Sequence, residues 1–243
     1  MNGELSSFDE YISRCKPEQK NIYYLCAPSR KLALASPYLE TFEKSGVEVI
    51  FIYSAIDDFV MSNLQKYSGR PLISAEKGGL DMDKEDESDK DDEDKDSDMD
   101  NNKNKLSTDE ANEFCLWFKT ELSEKVESVK VTNRLGASPA VITNNESGAL
   151  RRMMRMVETQ SGGAGDAPLP KQSVEINPKH PIIVGLNVIR EKEPTLARVC
   201  AEQVYDNCLV AAGLLDDGRS MLPRLNDLLE SLVKSADTGK KTN

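Results

Sequence analysis

Twenty consecutive residues, Asp81 to Asp100, cannot join any folded core. They hold thirteen acidic side chains and three lysines, with Met82 and Met99 as the only apolar members. Like charges repel at that density and nothing is available to bury, so the tract is expected to be a disordered tether. It divides the 243 residues into two separate folding problems. It also accounts for nearly all of the formal charge of −11, since the tract alone carries −10. The remainder is close to neutral and presents no basic face for nucleic acid. Asp94, Asp96 and Asp98 have the spacing that opens an EF-hand loop. The sixth position is Met99 rather than glycine and the twelfth is Lys105 rather than glutamate, so that reading fails.

Before the tract, residues 6–79 alternate between strand and helix signals. Lys16, Glu18, Gln19 and Lys20 are solvent-facing types, and they lead into Ile22-Tyr23-Tyr24-Leu25, an aromatic and β-branched run suited to a sheet. Ser29 is an N-cap candidate for a helix from Arg30 to Lys44, and Val47 to Tyr53 has strand length and composition. Ala55 to Tyr67 is expected as a helix stopped by Ser68-Gly69, with Ile56, Phe59, Val60 and Leu64 on one face, and Arg70 to Ala75 as a third strand. This order implies parallel strands covered by helices.

After the tract, residues 107–236 read as a second domain, which leaves 80–106 as the linker. Ser107 and Glu110 form a capping box ahead of a helix. Val126 to Leu135 and Ala140 to Thr143, separated by Ser138-Pro139, read as an antiparallel hairpin. A methionine-bearing helix is expected over Ala149 to Thr159, then a strand at Val174 to Ile176. Asn177-Pro178 reads as cap and first residue of a helix over His180 to Arg190, and two further helices follow, Thr195 to Leu215 and Gly218 to Ser235. The expected class is therefore α/β plus α+β: a small β-α-β-α-β unit, an acidic disordered linker, and an α+β domain ending in a helical pair.

Catalytic chemistry has little to stand on. Gly162-Gly163-Ala164-Gly165 has no strand before it and no Lys-Ser or Lys-Thr after it, so it is no phosphate cradle. His180 is the only histidine, which rules out a histidine pair for zinc. The cysteines, at 15, 26, 115, 200 and 208, are scattered without a C-x-x-C and read as buried, reduced thiols. No apolar run reaches eighteen residues, so no membrane span is expected. The first residues, Met1-Asn2-Gly3-Glu4, carry neither a signal peptide nor an arginine-rich transit peptide.

The order Asp9-Glu10-Tyr11, Arg14, Lys16, Gln19, Ile22-Tyr23-Tyr24 resembles the middle-domain signature of the ninety-kilodalton heat-shock chaperone family. Leu25-Cys26-Ala27-Pro28 resembles its mitochondrial branch, and Glu175-Ile176-Asn177-Pro178 extends the likeness into the second domain. The resemblance implies the end of a middle domain followed by a C-terminal dimerisation domain, with unfolded or partly folded clients as partners and the mitochondrial matrix as location. ATP and magnesium would belong to a nucleotide-binding domain that this chain lacks, so no cofactor and no enzymatic activity are expected here. The acidic tract is longer than the family pattern. The ending Lys-Lys-Thr-Asn also differs from the acidic Met-Glu-Glu-Val-Asp tail through which cytosolic members would engage tetratricopeptide partners.

Two features are candidates for carrying the function. In the last helix Met221, Leu222, Leu225, Leu228, Leu229 and Leu232 repeat at three- and four-residue spacing, the seam of a helix–helix contact. Val204 and Cys208 continue such a seam in the preceding helix, where Tyr205 and Ala212 lie in segments that resemble the family's dimerisation helices. The seam fits an intrachain hairpin as well as a four-helix bundle between two chains; the resemblance implies the bundle and a homodimer. The second feature is Leu150, Met153, Met154 and Val157 on one helical face beside Arg151, Arg152 and Arg155. By itself such a face is more often core, but the resemblance implies a flexible apolar surface for clients. A stand-alone acidic dimeric scaffold or adaptor without an ATP cycle is the alternative.

Overall fold

The computed structural model describes residues 5–80, 105–143, 157, 169–215 and 217–238. The acidic tract, most of the methionine-bearing segment and the glycine-rich stretch lie outside them.

The first half begins with helix α1 (Phe8–Arg14), capped by a Ser7–Glu10 capping box, and enters strand β1 (Ile22–Cys26), buried along its whole length. β1 is flanked by β2 (Ile50–Ile52) and β4 (Arg70–Ser74), both parallel to it, and the two-residue β3 (Lys66–Tyr67) adds antiparallel to β4. One face of this sheet packs Tyr23 and Leu25 against Ala33, Tyr38, Leu39 and Phe42. The other packs Tyr24, Cys26 and Ile52 against Ala55 and Met61.

Three expectations for this half need correction. Gln19 is buried rather than solvent-facing, because its amide donates to the Tyr11 hydroxyl at 2.9 Å and to the Asn21 carbonyl at 2.9 Å. The single helix over 30–44 is broken into α2 (Arg30–Leu34), a 3-10 turn (Pro37–Leu39) and α3 (Glu40–Ser45). Pro37 lacks the N–H that a continuous helix would need, and Ser36 caps the new start. The next helix, α4 (Ala55–Leu64), ends earlier than Tyr67, because Gln65 takes a positive φ of 57°. Ser68 and Gly69, with φ of 48° and 77°, instead form the two-residue turn of the β3–β4 hairpin.

The second half starts with α5 (Thr108–Glu121) on the expected Ser107–Glu110 capping box. Its sheet holds β5 (Val126–Val131), β6 (Ala140–Thr143) and β7 (Gln172–Ile176) in the order β5-β7-β6. The expected β5–β6 hairpin is therefore absent: β7 lies between the two strands, parallel to β5 and antiparallel to β6. The connecting loop, residues 132–139, is too long for a hairpin turn and is held by β7's end. The Asn177 amide donates to the carbonyls of Gly136 at 3.1 Å and Ser138 at 3.3 Å.

Helix α6 (Pro181–Lys192) has its cap three residues beyond the expected Asn177. His180 is the N-cap, with Nδ1 accepting from Ile182 N at 3.1 Å, and Pro181 occupies the first turn. Asn177 instead closes the turn before it, accepting from Lys179 N at 3.0 Å. Helices α7 (Pro194–Ala211) and α8 (Leu222–Thr238) complete the chain, joined through a 3-10 turn (Gly218–Met221). Phe114, Phe118, Val174, Ile176, Ile183 and Ala201 centre the core that α5, α6 and α7 close over the sheet.

Candidate functional site

Helix α8 shows the strongest separation of apolar and polar faces among the described helices, and the described residues cover little of its apolar stripe. Leu222, Leu229, Leu232 and Val233 are 52%, 59%, 65% and 67% exposed. Leu225 and Leu228 are half-buried. A groove of 410 Å³ separates the helix from the first turns of α7, lined by Leu196, Val199 and Leu228. The stripe therefore continues onto α7 rather than stopping at the edge of one helix.

What fixes α8 against α7 is electrostatic. Arg224 donates to Glu202 Oε2 at 3.0 Å and to Gln203 Oε1 at 3.2 Å, and it also pairs with Asp206. Gln203 and Asp206 are buried. A planar guanidinium spreads five donors over three nitrogens and so reaches three separate acceptors at once, whereas the three donors of a lysine radiate from a single nitrogen. Sequence periodicity did not single out these polar residues, because they sit beside the seam and not on it.

The expected dimer-contact residues divide in two. Val204, Tyr205, Cys208 and Ala212 belong to the chain's own core, each 5% exposed or less, and Met221 is buried at 7%. These five are covered within the chain itself. The Tyr205 hydroxyl donates inward to the Lys125 carbonyl at 3.3 Å, and burial pushes the Cys208 thiol up to about 12. Leu222, Leu225, Leu228, Leu229 and Leu232 remain on the open face. Val210, 56% exposed near the end of α7, joins them and was not foreseen. Of the client-face candidates, Leu150, Met153 and Met154 lie outside the described residues, while Val157 is 57% exposed.

Most helix starts among the described residues are closed by a side chain. The N-termini of α1, α2, α4, α5 and α6, where backbone N–H groups could bind phosphate, are capped by the side chains of Ser7, Ser29, Ser54, Ser107 and His180. Among the described residues no group of three or more His, Cys, Asp or Glu is placed to hold a metal ion. No described helix is long and apolar enough to cross a membrane.

The buried hydroxyl network of the first half explains a sequence pattern. Tyr11 donates to the Glu48 carbonyl at 2.7 Å while its oxygen accepts from Gln19 and from Tyr23 N at 3.2 Å. The tyrosine, glutamine and Ile-Tyr-Tyr run are thus one physical unit. The profile described as Hsp90 protein matches residues 1–243, the whole chain. The chain belongs to the Hsp90 family. Among its Hsp90 relatives, the mitochondrial TNF receptor-associated protein 1 homolog of Dictyostelium discoideum is 41% identical over 227 residues, covering 93% of this chain and 30% of that protein. The mitochondrial heat shock protein 75 kDa of Rattus norvegicus is 40% identical over 227 residues, 93% of this chain and 31% of its own length. The chaperone protein HtpG of Desulfitobacterium hafniense is 37% identical over 232 residues, 96% of this chain and 35% of that protein. This Hsp90 chain thus spans about a third of the length of the curated relatives it matches.

Proposed function

We propose that this chain provides the dimerising and client-contacting portion of a mitochondrial-type Hsp90 chaperone, with its two halves as the end of the middle domain and the C-terminal dimerisation domain. The observation that carries this reading is the apolar stripe of α8, Leu222, Leu225, Leu229, Leu232 and Val233, which the described residues leave largely open. A stripe of that width on a terminal helix is satisfied by the same stripe of a second copy, because a two-fold contact lets each residue meet its own counterpart or near neighbour. Clients are assigned to the segment carrying Leu150, Met153, Met154 and Val157. ATP and magnesium are assigned to sequence outside this chain, in keeping with the span of about a third of its relatives' length. The mitochondrial assignment rests on the identities of 41% and 40% to mitochondrial relatives.

The test is suppression of aggregation of a chemically unfolded client, with and without ATP and magnesium. The chain should slow aggregation equally in both conditions, and Met153→Glu with Val157→Glu should lose most of that effect while circular dichroism stays unchanged. Saturable ATP binding at micromolar affinity by calorimetry would overturn the division of labour. Failure of the unmodified chain to hold clients would overturn the client assignment.

A further inference from the structure

The most deeply buried ion pair described in the molecule joins its two halves. Arg134, in the loop between β5 and β6, and Glu175, on β7, are 3% and 5% exposed. Arg134 Nε lies 2.8 Å from Glu175 Oε2, with the N–H off the line to the oxygen, so the contact is an ion pair more than a hydrogen bond. Both partners reach across to the first half. Arg134 Nη1 donates to the carbonyls of Lys77 at 3.1 Å and Ala75 at 3.4 Å, and its guanidinium sits 5.8 Å from the centre of the Tyr38 ring. Glu175 Oε1 accepts from Gly79 N at 2.8 Å. A Cβ at Gly78 would meet Thr143 Oγ1 at 3.0 Å and Glu175 Oε1 at 3.2 Å, so the chain passes close to the second sheet and any side chain there would press on Thr143 and Glu175.

Further contacts ring the pair. The Tyr38 hydroxyl donates to the Ile142 carbonyl at 2.6 Å. The Glu40 carboxylate accepts from Ala137 N at 3.0 Å, from Ser138 Oγ at 2.6 Å and from Gly136 N. Leu135 and Val141 pack into the apolar core of the first half. The Arg134 loop is thus gripped by Glu40 on one side and by Asn177 and His180 on the other, His180 Nε2 lying 3.1 Å from the Ala137 carbonyl.

The place that Arg134 occupies matters. In an open parallel sheet the crevice outside the carboxyl ends of the strands, where strand order reverses, is where ligands bind. Here the order β2-β1-β4 puts that reversal between β1 and β4. Arg134 enters at the carboxyl end of β4 and takes the Ala75 and Lys77 carbonyls. We propose that Arg134 is an in-chain latch: it fills the ligand crevice of the first half and, with Glu175, holds the two halves in one orientation. Withdrawing it would leave Glu175 buried without a counter-charge and the carbonyls without a donor. The halves therefore have a locked arrangement and an unlocked one, with no gradual path between them.

Amide hydrogen exchange on the full chain tests this. Arg134→Gln should speed exchange at Gly79, Gly136 and Ala137, whose N–H groups bond across the boundary, by on the order of a hundredfold. Amides of β1 and β7 should keep their wild-type rates. If Arg134→Gln fails to fold, Glu175→Gln, which keeps an acceptor for Gly79, should speed Gly136 and Ala137 by at least about tenfold. Wild-type rates at Gly136 and Ala137 in a folded variant would overturn the latch. Equal acceleration in β1 and β7 would overturn it too, since that is general destabilisation.

Discussion

At the scale of single residues, burial decides the ionisation of the thiols. It pushes Cys115 up to about 11 and Cys208 up to about 12, and it takes the Tyr11 phenol to about 12. Between the ordinary value and the raised one, the unfolded chain has released its proton while the folded chain still holds it. Stability is therefore full below about pH 8.5 and falls as pH rises above it, by about 1.4 kcal/mol per pH unit for each thiol. Unfolding free energies from denaturant titrations should stay level from pH 7 to about pH 8.5, then decline by about 3 kcal/mol per unit between about pH 9 and pH 10, and Cys208→Ala should make that decline about half as steep. A level profile through pH 11 would show that these thiols ionise as easily folded as unfolded. Burial of Cys26, Cys115 and Cys208 was legible from their apolar neighbours, whereas Cys15 and Cys200, expected to be buried too, are only half-buried. Burial of Gln19 was not: its sequence neighbours are charged, and the hydroxyl that justifies it belongs to Tyr11, a turn of helix away from the strand.

At the scale of elements, capping signals were legible and the facing of helices was not. Ser29 and the Ser107–Glu110 box mark helix starts because their bonds are local. Pro37 broke the helix expected over 30–44 for an equally local reason. In α4, by contrast, periodicity finds a stripe without saying which way it faces. Ile56, Phe59 and Val60 are 65%, 45% and 51% exposed, while Asp58 on the opposite side is 0% exposed. Phe59→Ser with Val60→Ser should therefore change the melting free energy by less than about 1 kcal/mol in total, as exposed positions do. Burial of that face would make the pair cost at least about 4 kcal/mol, and thermal denaturation separates the two cases. The misplaced β5–β6 hairpin has a related cause. Alternation identifies a strand, but only long-range packing selects its neighbour, and β7 arrives from thirty residues further along.

At the scale of the whole molecule, the family signature was legible because its residues form one hydrogen-bonded cluster. The contact between the halves was not, because Tyr38, Glu40, Arg134 and Glu175 are up to 137 positions apart and share no local pattern. The apolar seam was legible as a stripe, but not which of its residues stay open. α8 keeps its leucines on the surface, whereas α7 spends Val204, Tyr205 and Cys208 on the core. Leu225 and Leu229 lie one turn apart in the middle of the α8 stripe. A carboxylate at each would place two unpaired charges per chain in a contact that symmetry repeats, weakening association by on the order of a thousandfold or more. Sedimentation velocity at micromolar concentration is the direct measurement. The unmodified chain should sediment as a dimer, and Leu225→Glu with Leu229→Glu as a folded monomer. An unmodified chain that sediments as a monomer, or a variant that remains a dimer, would contradict the account.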